Sequence, residues 1–243
     1  MTYCVGVLLE QGMVFASDSR TNAGLDNVSK FCKMTVFERK GDRVIVLLSS
    51  GNLAGTQAVI SLLRQRGESE DDSCNLWRAS TMFDVVGCAA GVMRAVEQRD
   101  AAHLQKSDVS FNASLIVGGQ VRGEPMRLFR IYAEGNFIEV GEHEPFLQTG
   151  EVKYGKPILD RVIKPGTSLP DAIKCVLVSF DSTMRSNISV GMPIDLLCLE
   201  RDALEVKMRR RFRAHDPYFD ALSEAWSEGT REVFSRLPEL RWP

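Results

Sequence analysis

The sequence predicts an α+β fold of four layers, an αββα sandwich. Two antiparallel sheets would pack face to face, and a pair of helices would cover each outer side. The predicted elements run as strands, two helices, strands, two helices, strands, which is not the strict alternation of a doubly wound parallel sheet. Several strands are apolar along their whole length, as expected where both faces of a sheet are covered.

The first group of strands begins at the first residues of the sequence. Residues 2–9 and 13–20 are apolar and β-prone, and a short turn at residues 10–12 joins them, so they predict a buried hairpin. Two further strands are predicted at residues 31–38 and 43–49. A chain end that starts inside a core strand is unusual, because most termini fray.

The remaining elements follow from periodicity and turn residues. Apolar residues at helical spacing predict four helices: 53–66, 76–105, 152–163 and 169–184. Short apolar runs between turns predict five strands: 111–117, 126–133, 137–140, 194–199 and 204–208. Ser168 with Asp171 three residues later forms a capping box at the start of the last of these helices.

The C-terminal residues 209–243 are predicted to form a helical extension to a domain of residues 2–208. Asp216 followed by Pro217 is typical of a helix start. An apolar stripe follows: Phe219, Leu222, Trp226 and Val233. This helix could pack on its own domain or contact a neighbouring subunit, and both alternatives are open at this point.

Composition and charge indicate which partners, location and cofactors to expect. The chain has 243 residues, of which 44% are hydrophobic, and its net charge is -2. This balance gives no reason to expect nucleic acid or a membrane surface as a partner. No secretory signal and no apolar membrane span is visible, so we expect a cytoplasmic protein. The six cysteines contain no CxxC pair, so we expect reduced thiols, no metal and no cofactor.

Thr2 is the candidate nucleophile. If Met1 is removed, Thr2 carries a hydroxyl and a free α-amine on one residue. These two groups are the nucleophile and the base of N-terminal threonine catalysis. The amine has an ordinary pKa of about 7.7–8.0, so a useful fraction is neutral near pH 7.

An ordered set of residues resembles the proteasome β-type subunit family over about residues 2–208. Thr2 opens the first strand, and the sequence Ser-Asp-Ser-Arg-Thr at residues 17–21 ends the second. Gly24 lies beyond it, Lys33 opens the third strand, and Gly51 stands between the fourth strand and a helix. Residues 152–161, the C-terminal helix and the expected absence of a propeptide resemble the bacterial branch called Anbu.

This resemblance implies an N-terminal nucleophile hydrolase that acts on peptide or protein substrates and assembles from identical subunits. The ammonium of Lys33 would lower the pKa of the Thr2 amine. Asp18 would hold Lys33 in place, and the Gly51 N–H would donate to the oxyanion. Lys30 competes for the role of Lys33, which we prefer because it directly precedes a strand.

Two departures from the family pattern concern the groups that support the terminal amine. The family carries Gly-Ser-Gly where this chain has Thr-Gly-Glu at residues 149–151. Of the family's Asp-x-x-Ser-Gly, Asp181 is carried over, but the serine is not placed, and Ser186 matches only with an insertion. Three hypotheses follow: a threonine peptidase, a non-catalytic structural or binding subunit, and an amidase for a small substrate.

Overall fold

The structure, a computed structural model, describes residues 2–22, 28–69, 74–106, 111–141 and 143–242. The strands are β1 Tyr3–Leu9, β2 Gly12–Asp18, β3 Arg20–Asn22, β4 Val28–Lys30, β5 Met34–Arg39, β6 Arg43–Gly51, β7 Ala113–Val121, β8 Arg127–Ile131, β9 Phe137–Glu139, β10 Phe146–Gly150, β11 Ile194–Glu200 and β12 Met208–Phe212. The helices are α1 Leu53–Glu68, α2 Met82–Lys106, α3 Lys156–Val162, α4 Leu169–Ser186 and α5 Pro217–Ser235.

Two five-stranded antiparallel sheets form the centre of the molecule. The first has the order β10-β1-β2-β11-β12, and the second has the order β5-β6-β7-β8-β9. The strands β3 and β4 form a separate two-stranded ribbon. The hairpin of β1 and β2 therefore lies in the interior of the first sheet, in agreement with the predicted buried hairpin.

Three apolar layers hold the sheets and helices together. Phe15 of β2 and Leu128 of β8 belong to the layer between the sheets. Phe129 of β8 belongs to the layer that α1 and α2 cover, and Phe180 of α4 to the layer on the opposite side. This order of layers confirms the predicted αββα sandwich.

One predicted strand is wrong, and three observed strands, β3, β4 and β10, were not predicted. The strand predicted at residues 204–208 is wrong, because the edge strand is β12, Met208–Phe212. Its sequence, Met-Arg-Arg-Arg-Phe, is a basic run that does not indicate a strand. Its three arginines are exposed at the edge of the sheet. The boundary predicted between residues 208 and 209 lies within β12, and the division into two domains stays a prediction. The strand β10 was not predicted, because Phe-Leu-Gln-Thr-Gly is short and half polar.

The first half of α5 packs on its own domain. Phe219 is buried, and its ring centroid lies 6.2 Å from that of Phe212 in β12. Trp226 is 42% exposed and Val233 is 59% exposed, so the packing does not continue along the helix. In the described part of the chain, no helix combines the length and apolar character that crossing a membrane requires.

Candidate active site

Thr2 is held at the end of the first sheet by β10. Its carbonyl oxygen accepts a hydrogen bond of 2.7 Å from the Glu151 N–H, and its residue is only 8% exposed. Gly150 allows this approach. It has φ +86°, and a Cβ there would lie 1.9 Å from the Thr2 carbonyl oxygen. A glycine at position 150 is therefore required for β10 to fix Thr2 in place.

Asp18 ends β2 beside the first residues of β1. Its Oδ1 accepts hydrogen bonds from the Tyr3 N–H at 3.1 Å and from Lys33 Nζ at 2.6 Å. Its Oδ2 accepts from the Arg20 N–H at 3.2 Å. Because Tyr3 follows Thr2 directly, this buried carboxylate fixes the backbone next to the candidate nucleophile.

Lys33 lies just before β5 and is only 6% exposed. Its Nζ donates to Asp18 and, at 2.6 Å, to the carbonyl oxygen of Arg20. Its own carbonyl oxygen accepts from the Ser49 N–H of β6 at 2.9 Å, which ties its backbone to the second sheet. Lys30, the competing lysine, is exposed.

The electrostatics of Asp18 combine opposing effects. Burial raises the pKa of Asp18 above its ordinary value, and the ammonium of Lys33 opposes that rise most strongly. The N–H groups of Tyr3 and Gly191 act in the same direction as Lys33. A buried carboxylate and a buried ammonium at 2.6 Å thus offset part of each other's loss of solvation.

Gly51 is the last residue of β6 and has φ +92°. A Cβ at this position would lie 1.7 Å from the Asn112 carbonyl oxygen, so only glycine fits here. Helix α1 begins two residues later, with Asn52 Oδ1 accepting from the Gly55 N–H at 3.0 Å. The strand-to-helix turn therefore presents its backbone to the neighbouring cavity without a side chain in the way.

One cavity of about 370 Å³ joins Thr2, Lys33 and Gly51. Its other lining residues are Thr21, Ser49, Ser50, Leu53, Thr56, Asn112, Ser114, Arg130, Thr149 and Gly150. Ser50 Oγ and Thr149 Oγ1, 2.7 Å apart, join the two sheets at its wall. None of the described residues that line it is acidic, and the start of α1 adds positive potential, so the cavity favours developing negative charge.

A larger cavity lies elsewhere. It has a volume of about 990 Å³ and runs between α3, α4 and α5, where its lining is mostly apolar. Its described lining residues include none of the five predicted site residues. Size alone would therefore favour this region, whereas the residue chemistry favours the smaller cavity as the candidate site.

The comparisons with known proteins agree with this fold. The solved structure of an Anbu (Gly-1) mutant from Hyphomicrobium sp. strain MC1 matches with a TM-score of 0.93 and 47% identity, covering 100% of both chains. The chain belongs to the Anbu family of proteasome-like β subunits. A helical assembly of the Anbu complex from Pseudomonas aeruginosa matches with a TM-score of 0.93 and 44% identity over 98% of each chain.

A curated proteasome subunit beta from Methanothrix thermoacetophila extends the Anbu match to the wider family. It is 24% identical over 215 residues, which cover 84% of this chain and 90% of that protein. No protein-family model matches the chain. The resemblance stated from the sequence motifs, to proteasome β-type subunits and to their Anbu branch, is confirmed.

Of the predicted site residues, Asp18 reaches the cavity only through its partner Lys33, and Asp181 neither lines the cavity nor pairs with a described residue that does. It is buried on α4, where its Oδ1 accepts from Ser223 Oγ of α5 at 2.7 Å. Its Oδ2 accepts from Arg185 Nε at 3.0 Å. Both carboxylate oxygens thus hold α5 and the end of α4, and a catalytic role for Asp181 stays a prediction.

Other residues approach the site that sequence reasoning did not assign. Besides its backbone bond to Thr2, Glu151 accepts from Asn187 Nδ2 at 2.7 Å through its side chain. Arg20 donates to the Ile188 carbonyl oxygen at 2.6 Å, which brings the segment after α4 against the end of β2. The signal for Glu151 was its position in the stretch that departs from the family pattern.

Proposed function

We propose that this chain is a threonine-type hydrolase of peptide or other amide bonds, with Thr2 as nucleophile. The observation that carries the proposal is the 2.6 Å pair of Lys33 and Asp18 at a cavity that also contains Thr2 and Gly51. In a proposed active form, Met1 is absent and the α-amine of Thr2 is free. That amine is the base, since it is attached to the residue that must lose a proton.

The proposed reaction has two steps. The amine of Thr2 takes the hydroxyl proton as Oγ1 attacks the amide carbonyl, and the oxyanion forms opposite the Gly51 N–H and the start of α1. The resulting ammonium gives its proton to the leaving amine, and an ester of Thr2 remains. The amine then deprotonates a water molecule, whose oxygen attacks the ester, and the ammonium returns this proton to Oγ1 as the carboxylic acid product leaves.

Self-assembly and location are further parts of the proposal. The helical assembly of the Anbu relative from Pseudomonas aeruginosa supports assembly of this chain with identical subunits. We also propose that the assembly acts in the cytoplasm. Peptides and small amides are the substrate classes to compare, because 370 Å³ is within the range of small-molecule sites.

Intact-mass measurement tests the proposal. The purified protein is measured before and after treatment with a threonine-directed electrophile, and peptide mapping locates any adduct. We expect a mass without Met1 and one adduct at Thr2. Thr2→Ala should abolish the adduct, and Thr2→Ser, which keeps a hydroxyl and an amine, should retain it.

Three results would separate the alternatives. A retained Met1, or a processed chain without an adduct, would contradict the hydrolase and favour a structural or binding subunit. Full activity in Thr2→Ala would also contradict it. Cleavage of small amides but not of peptides would favour the amidase.

A further inference from the structure

Arg130 breaks the apolar pattern of β8. Along this strand, Phe129 and Ile131 face the layer under α1 and α2, whereas Leu128 belongs to the layer between the sheets. Side chains alternate along a strand, so Arg130 takes a position of the inter-sheet layer. Its partner in the β7 register, Ile116, also belongs to that layer. A guanidinium at such a position contradicts the local pattern, and such conflicts are typical of functional positions.

The guanidinium of Arg130 has no acidic partner among the described residues. Its Nε lies 3.4 Å from Ser114 Oγ, and its Cζ lies 4.9 Å from the ring centroid of Tyr132. Arg127, on the same strand, provides the contrast. It makes two hydrogen bonds of 2.7 Å to the carboxylate of Glu139. Among the described residues, β8 thus carries one arginine whose guanidinium pairs with a carboxylate, Arg127, and one whose guanidinium does not, Arg130.

The surroundings of Arg130 leave a site for an anion. It lines the cavity that contains Thr2 and Gly51, where the other charged lining residue, Lys33, is already paired with Asp18. It also borders a second cavity of about 440 Å³, whose acidic lining residues in the described part of the chain are Glu139 and Glu144. Glu139 pairs with Arg127 and Glu144 pairs with Lys156, so neither neutralises Arg130.

We infer that Arg130 binds a carboxylate of the substrate, so that this enzyme selects acidic peptides or amides. The inference rests on the proposed function, whose cavity it shares. A guanidinium fork binds a carboxylate through two parallel hydrogen bonds, which a neutral amide cannot match. The carboxylate belongs either to an acidic side chain or to the free C-terminus of the substrate, because both present the same two oxygens.

Equilibrium binding to the full-length Thr2→Ala variant tests the inference without chemistry. The probes are four short peptides with Glu or Gln at one position and a free or amidated C-terminus. We expect the carboxylate-bearing peptides to bind about tenfold more tightly than their amide counterparts, since a charge-assisted hydrogen bond is favoured to about that extent. The preferred pair, Glu over Gln or free over amidated, identifies the source of the carboxylate.

Three substitutions in this background assign the preference to Arg130. Arg130→Gln should remove it, and Arg122→Gln, which makes the same charge change at an exposed residue that lines neither cavity, should retain it. Arg130→Lys keeps the charge but not the fork, and it should retain part of the preference. Thermal unfolding of each variant shows that it is folded. Equal affinities for acid and amide peptides, no binding of the acid peptides, or a preference that persists in Arg130→Gln would overturn the inference.

A chemical measurement separates this inference from the proposed function. Wild-type protein is treated with two threonine-directed electrophiles that differ only in a carboxylate and its amide. Adducts forming at equal rates would support the hydrolase and contradict the role of Arg130. An acid preference in the binding measurement without any adduct would support Arg130 and contradict the hydrolase.

Discussion

Asp18 and Asp181 are both buried carboxylates with sequence-based catalytic roles, but they have different surroundings. Asp18 receives Lys33 and backbone N–H groups from strands that meet at one end of the sandwich. Asp181 receives Arg185 from its own helix and Ser223 from α5. Strand register therefore maintains the arrangement of Asp18 beside Thr2. Asp181 of α4, in contrast, binds the C-terminal helix α5.

Of the substitutions that compare these two carboxylates, replacing Lys33 has the largest expected effect on stability and on the Thr2 adduct. Lys33→Met leaves Asp18 buried without an opposite charge, which should lower the free energy of unfolding by about 3–5 kcal/mol. It should also abolish the Thr2 adduct. Urea unfolding and intact mass measure the two effects.

The exposed Lys30 provides the control for Lys33. Lys30→Met removes the same charge three residues earlier, and it should be neutral in both measurements. Adding Asp18→Asn to Lys33→Met should recover part of the stability without recovering the adduct. Equal stability of the two single lysine variants would show that the Asp18 pair does not hold this end of the sandwich.

Gly51→Ala is the next largest expected change. Gly51 and Gly123 have similar φ values, +92° and +83°, but a Cβ at Gly123 meets no described heavy atom within 4 Å. Gly123→Ala should therefore cost only the left-handed backbone penalty of about 1–2 kcal/mol. Gly51→Ala should cost about 3 kcal/mol, because the Cβ also collides with the Asn112 carbonyl.

The two alanine variants are compared by their urea midpoints and adduct rates. Gly123→Ala should leave the rate of Thr2 modification unchanged. Gly51→Ala should lower it by about 10²–10³ through displacement of the proposed oxyanion donor. If the two variants lose the same stability and react equally fast, the turn at Gly51 has neither the steric nor the catalytic importance assigned to it.

The sequence predicts the part of the site that depends on strand ends. Asp18, Lys33 and Gly51 each stand where a β-prone run begins or ends, so predicted boundaries place them at one edge of the sheets. The partners of Asp181 are not predictable in this way, because Ser223 lies 42 residues away on a helix whose docking depends on tertiary packing. Arg130 was predictable in principle, since it shares the face of Leu128, but this requires knowing which face is covered.

Asp181→Ala asks whether the second carboxylate has any catalytic role. Its loss removes the hydrogen bond from Ser223 and the contact with the 57% exposed Arg185, which contributes little. We expect a loss of about 1.5–2 kcal/mol in unfolding free energy and an unchanged rate of Thr2 modification. Ser223→Ala is the matched control, because it removes the same hydrogen bond from the α5 side. A tenfold slower modification in Asp181→Ala alone would restore the catalytic role.

Asp216→Ala tests the start of α5 and has the smallest expected effect. Asp216 Oδ1 accepts from the N–H groups of Tyr218 and Phe219, at 3.1 and 3.2 Å, and loss of such a cap costs about 1 kcal/mol. Partial burial acts to raise the pKa of Asp216, but the N–H groups and the guanidinium of Arg210 outweigh it and leave the pKa below its ordinary value.

The lowered pKa of Asp216 fixes how this stabilisation depends on pH. Because the folded state favours the ionised carboxylate, the contribution is complete above the ordinary pKa of 3.8 and is lost as the pH falls through the lower pKa of the folded state. Urea unfolding at pH 7 should therefore separate Asp216→Ala from wild type, and the difference should shrink in acid. Asp220→Ala, an exposed acid in the first turn of α5, controls for the helix dipole alone. A difference that is constant with pH would mean that Asp216 acts through packing and not through its charge.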